Sequence, residues 1–177
     1  MNGLSLRPWS SEDLPVLQRS NTPAMTTYLG GPETEEKVLA RHQKYLRLWD
    51  EGEARSFVVI DDSAPVPVGT IGYWKAEWDG RDVYETGWSI ATAYQGHGLA
   101  AKALSLALRH AAEHGDRDTV VAFPRVDNLA SNAVARAAGF TNTGEEDSDY
   151  PPGVPIRVNA WIFDLSDMRR QSAGHPK

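Results

Sequence analysis

A glycine-rich turn is the stretch of this chain best suited to bind an anion. It lies between a predicted strand and a predicted long helix and consists of Gln95, Gly96, His97, Gly98, Leu99 and Ala100. The glycines permit a tight turn and close approach of a ligand, and the first turn of a helix leaves several N–H groups unpaired. No Lys or Arg lies between Ala91 and Ala101. The turn therefore predicts a phosphate site made by backbone N–H groups rather than by ion pairs.

A carboxylate lies in the strand that leads into this turn. The residues from Val83 to Ile90 show the alternation and the β-branched and aromatic side chains typical of a strand. Alternation places Glu85 on one face together with Val83, Gly87 and Ser89. We expect the small residues Gly87 and Ser89 to leave room for a ligand beside the carboxylate. The alternative is an ordinary strand glutamate, exposed to solvent or paired with a cross-strand cation.

A third block of polar residues follows the long helix. Asn128 and Ser131 stand at the start of a short Ala-rich segment that ends at Gly139-Phe140. Both residue types favour helix caps. Capping is therefore the alternative to ligand binding at these two positions, and we expect them to do both.

Alternating strands and helices must position the three blocks. Hydrophobic periodicity, glycines and caps predict strands near 4–7, 56–61, 68–77, 83–90, 119–123, 140–145 and 157–165. Helices are predicted to begin near Ser10–Asp13, at Thr34, at Gly98 and at Ala130. The Asp79-Gly80 pair predicts a hairpin turn between the third and fourth strands.

Composition excludes several classes of protein. The chain has 177 residues, 41% of them hydrophobic, which suits one globular domain. A net charge of −6 argues against a nucleic-acid phosphate surface and is compatible with a cationic acceptor such as an amine. The absence of cysteine excludes disulfides and thiolate chemistry. We expect a cytoplasmic protein with neither a nucleic acid nor a membrane as partner.

The three blocks together resemble the GCN5-related N-acetyltransferase (GNAT) superfamily. Gln95-x-x-Gly98-x-Ala100 is similar to its acetyl-CoA motif, which stands at the same strand-to-helix junction. The segment from Asn128 to Phe140 and the strand residues Glu85-Thr86-Gly87-Trp88 resemble the RimJ/RimL-type branch. The blocks occur in the family's order, and the resemblance covers most of 4–165.

The resemblance implies a fold and a donor substrate. The fold is the α/β (α+β) GNAT fold, a mixed and strongly twisted sheet of about seven strands flanked by about four helices, with splayed central strands. One domain would span 1–166 and a mobile tail 167–177. Acetyl-CoA would place its pyrophosphate on the glycine turn and its pantetheine arm along the backbone of Trp88, Ser89 and Ile90. Asn128 and Ser131 would lie near the thioester.

Transfer of an acetyl group to an amine requires that the amine lose a proton before it attacks. Glu85 is the candidate base, acting directly or through water. A backbone N–H near Ser89 or Ile90 is the candidate donor to the oxyanion. The family's usual proton donor to the thiolate is a tyrosine at the position of Ala135, so Ser131 is the candidate replacement, with Tyr94 and Tyr150 as alternatives.

Two other motifs are weaker. The pattern from His110 to His114 matches an inverted zinc-protease motif, but the helix is predicted to end at Gly115, where histidine also suits the helix dipole. The segment from Gly87 to Ala91 resembles a nucleophile elbow but lacks the second glycine. We therefore expect neither a metal site nor a hydrolase.

The sequence thus predicts an acetyl-CoA-dependent N-acetyltransferase that acts on a primary amine, in a protein N-terminus or a small molecule, by direct attack in a ternary complex. The alternative is a non-catalytic acyl-CoA-binding or sensory domain, for which the alanine at 135 is the supporting feature. A homodimer is possible but has no signal in the sequence.

Overall fold

The computed structural model describes residues 3–174. The strands are β1 (Leu4–Pro8), β2 (Ala54–Asp61), β3 (Gly69–Trp78), β4 (Arg81–Ile90), β5 (Thr119–Ala122), β6 (Thr141–Asp149) and β7 (Pro155–Asp164). The helices are α1 (Leu14–Ser20), α2 (Glu35–Asp50), α3 (Leu99–His114), α4 (Leu129–Ala137) and α5 (Ser166–Ala173), with a 3₁₀ turn at Thr92–Tyr94. The predicted cap of the second helix is confirmed, since the Thr34 side chain accepts the Lys37 N–H.

All seven strands form one mixed sheet in the order β1-β2-β3-β4-β5-β7-β6. Neighbouring strands are antiparallel except for the central pair β4 and β5, which is parallel. A parallel pair needs a crossover, which α3 supplies. The prediction of a mixed, seven-stranded sheet is confirmed.

The central strands separate soon after they meet. β4 pairs with β3 over its whole length, from Arg81 to Ile90. With β5 it pairs only at Tyr84↔Val120 and Glu85↔Val121. Beyond Glu85 the strand edge that faces β5 is open, which confirms the predicted splay.

The hairpin turn between β3 and β4 fixes the register of the two strands. Asp79 and Gly80 both have positive φ, 51° and 70°, as a two-residue type I′ hairpin requires. The register that follows pairs Trp74 with Glu85.

Each face of the sheet carries its own apolar layer. On one face, α3 packs against β2, β3 and β4, with Phe57, Tyr73 and Leu104 in the core. On the other face, α1 and α2 cover Val58 together with Trp9, Val16 and Val38. Because successive strand residues point to opposite faces, even-numbered residues of β4 face α3 and odd-numbered residues, including Glu85, face the side of α1 and α2.

The C-terminal segment differs from the predicted tail. Residues 166–173 form α5, a fifth helix where about four were expected, and Met168 packs against the core. Arg169 donates to the carbonyl oxygens of Ala112 at 3.0 Å and Arg117 at 2.9 Å and pairs with Asp118. The segment expected to be a tail thus contains a helix with contacts to the domain, because a polar sequence can be held by hydrogen bonds as well as by burial. Residues 175–177 of that tail lie outside the described part.

Candidate active site

Glu85 lies at the point where β4 and β5 separate. Its carboxylate Oε2 accepts a hydrogen bond from Trp74 Nε1 at 3.1 Å. Burial raises the pKa of Glu85 above its ordinary value, and the Trp74 N–H opposes that change because it stabilises the charged form. The cross-strand neighbour is thus an indole and not a cation. Glu85 is a largely desolvated carboxylate beside an opening, a common setting for a general base.

The space above Gly87 holds a side chain and not a ligand. A Cβ at Gly87 would come within 3.2 Å of Cη2 of Trp74. The indole therefore lies across Gly87 and reaches Glu85. The expectation that Gly87 leaves room for a ligand is wrong. The type I′ turn sets a register in which Trp74 lies opposite Glu85, and its indole ring extends over Gly87.

The open edge of β4 offers backbone groups from alternate residues. The Ala91 N–H donates to Val68 O at 2.8 Å, so Ser89 and Gly87, which have the same parity, also direct their backbone groups at β3. The N–H and C=O of Trp88 and the N–H of Ile90 face the opening instead. Of the two predicted oxyanion donors, only Ile90 has the right direction. The expected involvement of the Ser89 backbone is wrong for the same reason.

The Trp88 side chain has a different environment from its backbone. It packs against the core on the α3 face of the sheet. Its backbone alone borders the opening. This position suits a residue that holds the strand in place while its main chain pairs with an extended ligand.

The glycine turn has the predicted backbone geometry. Gly96 and Gly98 have φ of 83° and 74°, and a Cβ on either would meet nothing within 4 Å. Gly98 is the N-cap of α3 and offers no side-chain cap. The first N–H groups of α3 are therefore left to water or a ligand.

The side chains of the turn have distinct environments. The Gln95 side-chain amide donates to Ile90 O at 2.8 Å and fastens the turn to the end of β4. His97 is exposed. Leu99 and Ala100 are half-buried and pack against the core, which orients the first turn of α3. The turn and the open edge are thus held as one unit.

Asn128 and Ser131 lie at the N-terminus of α4, the helix that follows β5. Asn128 is the N-cap, and its side chain accepts the Ser131 N–H at 3.2 Å. The capping interpretation is correct for Asn128. Ser131 is half-buried, and its hydroxyl is the chemical group that this block presents near the helix start.

A buried amide that the sequence analysis missed fixes this block to the sheet. Asn132 donates from Nδ2 to the carbonyl oxygens of Arg125 at 2.9 Å and Asn128 at 2.8 Å. Its Oδ1 accepts from Asn159 Nδ2 and Trp161 Nε1, both at 2.8 Å. The start of α4 is therefore tied to β7. No local sequence signal reveals this network, because its partners lie 27 and 29 residues away.

Ala135 belongs to the core. Its side chain is 0% exposed and packs within the same apolar cluster as α3. The carbonyl of Ala135 accepts the Phe140 N–H at 3.1 Å. A small residue at this position satisfies packing beneath α4, so the alanine by itself is no sign of lost chemistry.

Three loops meet on the Glu85 side of the sheet. A Cβ on Gly30 would come within 2.8 Å of Pro151, so the α1–α2 loop touches the β6–β7 loop. The Tyr28 hydroxyl donates to Asp127 O at 3.4 Å, and the Arg125 guanidinium lies 5.6 Å from the Tyr28 ring centre. The α1–α2 loop thus also reaches the segment that precedes α4.

The two weaker motifs have structural explanations. His110 Nδ1 forms a hydrogen bond with the Tyr73 hydroxyl at 2.7 Å on the α3 face, away from Glu85. Within residues 3–174, no cluster of three or more His, Cys, Asp or Glu side chains has a metal-binding arrangement. Ser89 lies in a strand whose register runs unbroken to Ile90, and so is not at a sharp turn.

Comparison with known proteins assigns the family. The model of the acetyltransferase (GNAT) domain matches residues 4–141. The chain therefore belongs to the GNAT family. Ribosomal-protein-serine acetyltransferase from Escherichia coli (strain K12) is 29% identical over 112 residues, which are 63% of this chain and 61% of that relative. This relative supports the RimJ/RimL-type branch.

Solved structures share the fold. An acetyltransferase from Salmonella typhimurium, described as modifying the N-terminal serine of ribosomal protein L7/L12, has a TM-score of 0.77 and 25% identity, covering 91% of this chain and 94% of its own. Spermidine N-acetyltransferase from Vibrio cholerae has a TM-score of 0.75 and 20% identity, covering 92% and 96%. None of the helices within 3–174 combines the length and apolar character of a membrane span.

Proposed function

We propose that the protein is an acetyl-CoA-dependent N-acetyltransferase that acts on a primary amine. The observation that carries this proposal is the opening between β4 and β5, which has a buried carboxylate at its inner end and a glycine turn at its outer end. Membership of the GNAT family and the ribosomal-protein-serine acetyltransferase relative support the same reaction.

The donor would lie along the open edge of β4. Gly96, Gly98 and the first N–H groups of α3 would hold the pyrophosphate. The pantetheine arm would pair with the Trp88 backbone as an added strand, since its N–H and C=O face the opening. The thioester would then lie beyond Trp88, towards Glu85.

The reaction transfers acetyl from sulfur to nitrogen. Glu85 takes a proton from the ammonium, directly or through water, and the freed lone pair attacks the thioester carbonyl. The raised pKa of Glu85 brings the carboxylate closer in basicity to the amine that it must deprotonate. A backbone N–H on the open edge of β4, at Trp88 or Ile90, would stabilise the oxyanion.

The tetrahedral intermediate collapses when the C–S bond breaks. The second proton that the nitrogen loses passes to the thiolate of CoA, and Glu85 releases the first to solvent, so that one proton leaves for each acetyl group transferred. We assign the hydrogen bond to the sulfur to Ser131, with Tyr94 and Tyr150 as alternatives. The acceptor is a protein N-terminus or a small amine, and the three loops on the Glu85 side would surround it. Homodimer formation and a cytoplasmic location stay predictions from the sequence.

A thiol-release assay across amines tests the proposal. A serine-initiated peptide, spermidine and an aminoglycoside serve as acceptors, and calorimetry measures acetyl-CoA binding. We expect saturable acetyl-CoA binding and turnover on at least one acceptor class. Binding without turnover on any amine of a broad panel would favour the sensory domain, and absence of binding would refute both interpretations.

A further inference from the structure

We infer that Trp74 is a positioning residue for Glu85, which holds one carboxylate oxygen and leaves the other to the acceptor amine. This inference rests on the proposed function, because it concerns the base of that reaction. The contact is direct, since Trp74 Nε1 donates to Glu85 Oε2 at 3.1 Å.

The geometry of the hairpin makes this contact rigid. Trp74 and Glu85 are directly opposed in the β3–β4 register. The indole also rests on Gly87, where a Cβ would come within 3.2 Å of Cη2. A side chain larger than hydrogen at position 87 would push the ring away from Glu85. The absence of a side chain at Gly87 therefore allows the Trp74 ring to lie where it can reach Glu85.

The fixed contact has a chemical consequence for the carboxylate. An indole N–H is a donor only, so it orients Oε2 without competing for the proton that the base must accept. Oε1 stays available to the amine or to a water that bridges to it. The carboxylate is then held in one rotamer before the acceptor binds, a form of preorganisation that reduces the barrier.

Few other groups lie where they could shift the pKa of Glu85. The residues that face it from the neighbouring strands are Trp74 on β3 and Val121 on β5, and neither titrates. Lys75 and Tyr84 point to the opposite face of the sheet. Burial and the Trp74 hydrogen bond account for the shifted pKa of Glu85. Removal of the indole N–H should therefore move that pKa further up.

The chain contains a matched control on the same strand and face. Trp78 Nε1 donates to both carboxylate oxygens of Glu146 at 3.1 Å. Trp78→Phe therefore removes an equivalent indole–carboxylate hydrogen bond, but not the one to Glu85. Both variants keep an aromatic ring at the position.

The kinetic test compares the pH dependence of kcat/KM in Trp74→Phe and Trp78→Phe. The acceptor is whichever amine of the panel the wild type acetylates. We expect Trp74→Phe to lower kcat/KM about tenfold on the high-pH plateau, because the carboxylate is no longer held, and to shift the acidic limb upward by about one pH unit. Trp78→Phe leaves the limb at its wild-type position. A limb unmoved by Trp74→Phe, or moved equally by both variants, would overturn the inference.

A second test needs neither an acceptor nor turnover. The indole ¹H–¹⁵N resonance of Trp74, assigned by its loss in Trp74→Phe, is followed against pH in the wild type and in Glu85→Gln. We expect a titration with a midpoint above the ordinary glutamate range in the wild type and none in Glu85→Gln. A flat response in the folded wild type would overturn the positioning role, whatever the fate of the proposed function. A titrating indole with no acetylation would instead refute the proposed function alone.

Discussion

A half-buried ionisable group lies on each face of the β3–β4 hairpin, and partial burial shifts the pKa values of the two groups in opposite directions. On the α3 face, His110 accepts or donates a hydrogen bond with Tyr73 and lies among Trp49, Phe57 and Tyr73. On the other face, Glu85 accepts from Trp74. Burial lowers the pKa of His110 to about 4 and raises that of Glu85, because it disfavours the charged form of either.

A shifted pKa therefore does not by itself locate an active site. His110 is enclosed by aromatic rings from α2, β2 and β3. Glu85 lies where β4 leaves β5, next to free backbone groups. Of the two groups, Glu85 borders an opening in the sheet and His110 packs among aromatic rings. This difference in access, and not the burial alone, is the reason for proposing a chemical role for Glu85.

The largest effect that this comparison predicts is the loss of catalysis in Glu85→Gln. We expect kcat/KM to fall by about 10²–10⁴-fold at every pH, because the amide cannot accept the proton. Acetyl-CoA affinity should stay unchanged in calorimetry. Stability should be retained or increased above the folded pKa of Glu85, since a buried carboxylate with a raised pKa destabilises the folded state when it ionises. Full kcat/KM in Glu85→Gln would refute the role of Glu85 as base.

On the α3 face the expected effect concerns stability. Folded His110 binds its proton near pH 4 and an unfolded histidine near 6.5. Between these values only the unfolded state is protonated, so stability is full above 6.5 and falls as the pH drops towards 4. Urea unfolding at pH 7.5 and pH 5 should show that His110→Gln reduces this loss by about 1.5 kcal/mol, which is less than the full pKa difference would give because water screens a half-buried group. An identical pH dependence in the variant and the wild type would contradict the assignment.

The smallest effect is expected at the glycine turn. Gly98→Ala adds a methyl group that meets no protein atom within 4 Å but forces a residue with φ of 74° to carry a Cβ. Gly52→Ala is the matched control, with the same φ of 74°, the same open space and a position at the end of α2. Both should lose about 1 kcal/mol of stability.

Only Gly98→Ala should weaken acetyl-CoA binding, by about tenfold, because a pyrophosphate on the first N–H groups of α3 leaves no room for a methyl group. Calorimetry on both variants measures the difference. Equal affinities for acetyl-CoA would place the pyrophosphate elsewhere.

Local signals in the sequence predicted much of this architecture. The alternation of β4, the glycines at 96 and 98 and the cap at Thr34 predicted elements that the structure contains at nearly the same residues. The sequence also implies the Trp74–Glu85 pair. A two-residue turn at Asp79-Gly80 fixes the register of β3 and β4, and in that register position 74 lies opposite position 85.

Other features had no local signal. Asn132 depends on partners in β7, and the anchoring of α5 depends on one carbonyl group in the last turn of α3 and one just after it. A polar residue in a short helix looks the same in a sequence whether it is solvated or buried. Only the packing of distant elements decides between the two.

By itself the sequence determined the family, the order of the elements, the glycine turn and the carboxylate in β4, because each depends on residues close together in the chain. The tertiary structure decided which backbone groups of β4 stay free, that an indole and not a ligand covers Gly87, and that His110 packs while Glu85 borders the opening. These depend on where β5 leaves β4 and on which helix covers each face, and both follow from contacts between residues far apart in the chain.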